Sequence, residues 1–141
     1  PTEIVFLYES RFNGQAMYRL IPTDGRDHHP LQVADTTWLG YSIGRWENDT
    51  MIIDTVGFND ESWLAWTGYP HTWDMKVTER IYRVGDTLHW EATVDDPMLI
   101  EPWTLDPMTR VLNSDPDHFF FGAVPCDERD AENIVDPNVR G

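Results

Sequence analysis

The chain has 141 residues, 40% of them hydrophobic, which is the size of one domain with enough apolar material for a core. Its 25 acidic and 10 basic residues leave a formal charge of −15, which excludes nucleic acid as a partner because phosphate binding needs a basic footprint, and argues against anionic membrane surfaces. The one cysteine, Cys126, rules out an intrachain disulfide and a multi-cysteine zinc site, and no apolar run approaches the ~20 residues of a membrane span.

In chain order, Glu3 to Glu9 is a short run of β-formers and reads as a buried strand. Asn13-Gly14 is a hairpin signal. Gln15 to Ile21 returns with Ala16, Tyr18 and Leu20 on one face, and Pro22 to Gly25 ends it as a turn. Arg26 to Thr37 is a polar loop. Its adjacent His28 and His29 read as a solvent-exposed turn, since metal sites need converging ligands.

Trp38 to Phe58 reads as a hairpin turning at Asn48-Asp49-Thr50. Alternation puts Tyr41, Ile43, Arg45 and Glu47 on one side of the first arm. On the second arm it groups Asp54 with Ile52 and Val56. If that face is interior, Asp54 is a carboxylate among apolar groups and must be paired, hydrogen-bonded or protonated.

Residues 59–75 form a Trp-rich connection too long for a tight hairpin, and it reads as a flap over a cavity. Asn59-Asp60 offers an N-cap, and Glu61 to Trp66 a helical turn with Trp63 and Trp66 on one face. Lys76 to Arg83 alternates, with Glu79 sharing a face with Val77 and Ile81, so Glu79 is a candidate interior acid. Thr87 to Val94 places Leu88, Trp90, Ala92 and Val94 in the core and His89 and Glu91 outside. Trp103 to Leu112 is a strand interrupted by Asp106-Pro107, and His118 to Val124 is a last strand.

About eight short strands with turn signals and little helix predict an all-β fold, an antiparallel eight-or-so-stranded barrel of calycin or lipocalin type with a Trp-rich flap. Closure removes sticky edges and leaves room for one small ligand. The barrel is expected over residues 1–124 as a single domain, followed by an acidic tail over 125–141.

Several stretches together resemble an uncharacterised bacterial family. They are Thr23-Asp-Gly-Arg26, Gly40-Tyr-Ser-Ile-Gly-Arg-Trp-Glu47, Asp54-Thr-Val-Gly-Phe-Asn-Asp60, Pro70-His71, Val77-Thr-Glu-Arg80, Thr93-Val-Asp-Asp-Pro97 and Pro102-Trp-Thr104. The family pattern has His where this chain has Tyr41, Gly where it has Asn48, and often another His near Met75. The resemblance implies secretion or a periplasmic location and an upstream element before Pro1. It carries no known activity, so no catalytic role transfers from it. The Gly-x-Trp of Gly44-Arg-Trp46 is similar to the barrel-closing signature of lipocalin-like proteins.

Three functions follow from the side chains. The first is a cofactor-free acid–base enzyme (isomerase, lyase or hydrolase) in which Asp54, His71 and Glu79 converge on one cavity. There an apolar setting moves carboxyl and imidazole pKa values toward the working range. Tyr41, Arg45, Trp63, Trp66, Trp73 and Trp103 would bind the small apolar or aromatic substrate. The second is a carrier that holds the same ligand without chemistry. The third is a metal-dependent enzyme using His71 and carboxylates, although no ligand spacing is diagnostic and no metal or cofactor is assigned. The bland alternative for both acids is an ion pair with Arg45 or Arg80 that fixes strand register. A nucleophile elbow, with its Gly-x-Ser-x-Gly pattern, is read as absent, as are phosphate-loop and dinucleotide glycine motifs, and self-association is left open.

Overall fold

A computed structural model describes residues 1–9, 16–64 and 68–117. The Asn13-Gly14 turn, Trp66, the His118–Val124 strand, Cys126 and the tail lie outside the described residues. The described residues form two antiparallel sheets. The first is the hairpin of β1 (Glu3–Glu9) and β2 (Ala16–Pro22). The second has β3 (Tyr41–Glu47), β4 (Thr50–Val56), β5 (Lys76–Val84), β6 (Thr87–Asp95) and β7 (Trp103–Thr104) in that order, with β8 (Met108–Val111) also pairing β6. A short helix, α1 (Pro30–Ala34), lies between the two sheets in sequence.

The β-rich class agrees with the sequence reading, but both sheets are open, and no closed barrel is found among the described residues. The pattern within each strand is the same for a barrel and an open sheet, and only the connections tell them apart. Among the described residues β1 pairs β2 alone. The Pro22–Gly25 turn and α1 separate β2 from β3, so no hairpin links the two sheets. At the other side Asp106-Pro107 splits the last edge into β7 and β8, as Pro in a strand must.

Closure is replaced by two-layer packing. The hairpin lays Ile4, Phe6 and Ile21 against Met51, Ile53, Ile81 and Trp90 of the sheet. The sheet's inner face is therefore the Met51–Ile53–Thr55 face. Asp54, with Ile52, is on the outer face, opposite to the interior reading considered above. Ile52 is nonetheless 2% exposed. It sits in register between Arg45 and Arg80, whose long stems suit that position. In β2 the inward residues are Arg19 and Ile21, while Tyr18 and Leu20 are exposed.

At Gly44 the two layers approach closely. A Cβ there would meet Ile21 Cγ2 at 2.9 Å and Met51 Cε at 3.1 Å. This is what the Gly-x-Trp motif does here, since Trp46 is 54% exposed and plugs no barrel end. The β3–β4 turn is the residue pair Asn48-Asp49, with Thr50 already paired to Glu47. Asn48 takes a positive φ of 54°, which suits the twist of the flanking strands.

Candidate functional site

The space between the hairpin and the sheet is a cleft of about 570 Å3, lined mainly by Phe6, Tyr8, Ile81, Leu88, Trp90 and Met108, with Glu79 at its floor. That volume lies within the ~300–1,000 Å3 of small-molecule sites. Glu79 is 4% exposed. Strand alternation brings its carboxylate inward, and burial is offset by two charge-assisted bonds. Arg19 Nη2 donates to Glu79 Oε2 at 2.7 Å, and Trp90 Nε1 donates to Oε1 at 2.8 Å. Arg19 also lies over the Phe6 ring, 5.5 Å from its centroid, and its buried Nε has no partner among the described residues. Burial, with help from the charge of Glu79, pushes the Tyr8 phenol up against the opposing pull of Arg19.

Asp54 occupies the other side of the sheet. It is bonded by Arg45 Nη1, and Thr78 Oγ1 donates to it at 2.9 Å. The register pairing foreseen for the acids is thus realised at Asp54 with Arg45, whereas Glu79 pairs with Arg19 of the hairpin. Because Asp54 and Glu79 lie on opposite faces, they do not converge on one cavity. Both partners of the Asp54 pair are substantially open to solvent. Replacing Arg45 with Met, which keeps an apolar stem beside Ile52, should therefore cost only about 0.2–1 kcal/mol in urea unfolding, a cost that shrinks further in high salt. A larger loss would place that pair inside the folding core.

His71 stands apart again, in the connection between β4 and β5. No helical turn forms over the described residues 61–64. Instead Trp63 makes an antiparallel bridge with Pro70, and Leu64 N–H donates to Tyr69 C=O at 2.8 Å. That register sets Ser62 directly across from His71. The His71 ring, 4% exposed, has Nε2 2.8 Å from Ser62 Oγ and Nδ1 3.1 Å from Thr72 C=O. A carbonyl only accepts, so Nδ1 carries a proton, and whenever the ring is neutral Nε2 is the acceptor for the Ser62 hydroxyl. Asp96 anchors the segment by accepting from Thr72 N–H and Oγ1 and from Met98 N–H. Burial pushes the Asp96 carboxyl up, but these bonds and nearby His71 outweigh it and hold it below its ordinary value.

The predicted binding residues are spread out. Trp63 and Trp73 are exposed on the 59–75 connection. Trp103, in β7, meets Tyr69 edge-on at 6.0 Å. Tyr41 and its neighbour Ser42 line a smaller cleft of about 310 Å3 between β2 and β3. The histidine pair does not chelate. His28 Nε2 donates to the Tyr41 and Asp54 carbonyls, and His29 caps α1 by accepting from Leu31 N–H. Among the described residues no group of three or more His, Cys, Asp or Glu side chains is placed to hold a metal ion. Also among them, no helix is long and apolar enough to cross a membrane.

Two serines went unremarked in the sequence reading. Gly40-Tyr-Ser-Ile-Gly44 does spell the Gly-x-Ser-x-Gly pattern that was read as absent, which corrects that reading. An elbow requires a strand–turn–helix apex with an exposed hydroxyl. Ser42 lies instead within β3, 5% exposed, its Oγ 2.9 Å from Thr55 Oγ1. The other serine, Ser62, carries no motif; only the Trp63 and Pro70-His71 arms around Gly68 hint at its partner.

The fold and cleft define an open two-layer all-β protein with an apolar groove over a buried ion pair. Comparison with protein-family models, with curated proteins and with solved structures gives no match to this chain.

Proposed function

We propose that the hairpin–sheet cleft binds a small neutral apolar or aromatic molecule and does so without turning it over. The observation that carries this reading is a cleft with predominantly apolar walls whose acid is already engaged. Both Glu79 oxygens accept hydrogen bonds, from Arg19 and Trp90. The acid–base reading places His71 and Asp54 beside Glu79, and neither is within reach of it. His71 is held elsewhere, by Ser62 and Thr72. The chain charge of −15 disfavours anionic ligands.

A neutral fluorescent arene, N-phenyl-1-naphthylamine, tests the reading. Its emission should rise and saturate on binding wild-type protein. Leu88→Glu, which sets a charge on the cleft wall at a solvent-accessible position, should weaken binding about tenfold or more. Equal affinity in the variant, with its circular dichroism unchanged, would place the ligand elsewhere.

A further inference from the structure

We propose that Ser62 and His71 form a nucleophile–base pair that hydrolyses esters of small neutral aromatic alcohols. This site is separate from the cleft and does not depend on the binding reading.

The polarity of the hydrogen bonds is the first support. Thr72 C=O fixes the proton on His71 Nδ1, leaving the Nε2 lone pair facing the Ser62 hydroxyl at 2.8 Å. A serine hydroxyl is a weak nucleophile until a positioned base takes its proton. A base oriented by a third group is the arrangement such chemistry uses, and the third group here is a backbone carbonyl. The support behind it is rigid, because Thr72 is tied to buried Asp96 by two bonds.

Access is the second support. His71 is buried, but Ser62 is only half-buried, and the residue after it, Trp63, is 70% exposed. Trp73, two residues past His71, is 62% exposed. The open Trp73 indole, on the segment that carries the pair, offers flat apolar surface to an aromatic ring. The charge of −15 selects neutral over anionic esters.

The step balances without any other co-reactant than water. Ser62 Oγ bonds to the ester carbonyl carbon as its proton passes to His71 Nε2. Collapse of the tetrahedral adduct breaks the C–O bond to the aryl oxygen, which takes the proton from Nε2. Water, deprotonated by Nε2, then attacks the acyl-serine, releasing the carboxylic acid and restoring Ser62.

The test is covalent labelling of the full chain with diisopropyl fluorophosphate, read by intact mass and peptide mapping, beside p-nitrophenyl acetate hydrolysis. One adduct, on Ser62, is expected in the wild type and none in Ser62→Ala, whose loop keeps the Trp63–Pro70 bridge. His71→Gln should slow both reactions by about 100-fold or more. Should His71→Gln fail to fold, labelling of wild type against folded Ser62→Ala decides alone. No adduct, an adduct spread over other side chains, or hydrolysis unchanged in Ser62→Ala would overturn the proposal and leave the pair a loop fastener.

Discussion

Arg19→Met is expected to destabilise the protein by about 3–5 kcal/mol, as breaking one side of a buried ion pair does. The reason is what it leaves behind. Arg19 and Glu79 side chains are 14% and 5% exposed and meet at 2.7 Å. Without the guanidinium, Glu79 keeps one donor, Trp90, and holds its charge among Phe6, Ile81 and Trp90. It must then protonate or draw water into the layer interface, and either outcome weakens the hairpin's hold on the sheet. The double variant Arg19→Met/Glu79→Gln should recover much of the loss, since a neutral amide still accepts from Trp90 Nε1 and strands no charge. Urea midpoints at constant slope measure all three proteins. A loss under about 1 kcal/mol for the single variant would mean that the pair is screened by solvent and that the hairpin is held by Ile4, Phe6 and Ile21 alone.

That pair also shows where sequence reading stops. The inward position of Glu79 was legible, because Val77, Glu79 and Ile81 alternate with polar Thr78 and Arg80 over a clean strand. Its partner was not, since Arg19 is 60 residues away on a strand of the other sheet, and no local period encodes that contact. The β3–β4 hairpin was legible as a hairpin, but its inner face was ambiguous: Met51, Ile52 and Ile53 are all buried, on both faces. β1 posed the same problem, as Ile-Val-Phe-Leu-Tyr gives no alternation from which to choose a side. Barrel and open sheet differ only in which edges meet, and an edge signal such as Pro107 does not say whether that edge closes on another strand. The Ser62–His71 pair sits in a connection without periodicity, and its register comes from one bridge at Trp63 and Pro70.

The indole of Trp90 joins the core, the ion pair and the cleft, so its loss has several readable consequences. It packs on the Met51–Ile53–Ile81 cluster, donates to Glu79 Oε1 and lines the groove. Trp90→Ala should cost about 3–5 kcal/mol, because the packing of the half-buried ring and the donor to Glu79 are lost together. Trp90→Phe separates the contributions. It retains most of the packing and deletes the donor, so a loss of about 1.5–3 kcal/mol would be the hydrogen bond to a charged acceptor. Both variants should shift the affinity for N-phenyl-1-naphthylamine, Ala by removing cleft wall and Phe by baring one Glu79 oxygen to the ligand. A Phe variant as stable as wild type would show that Glu79 draws its stabilisation from Arg19 alone. An Ala variant that loses stability yet binds the arene unchanged would separate the core role of Trp90 from the groove and move the ligand to another surface.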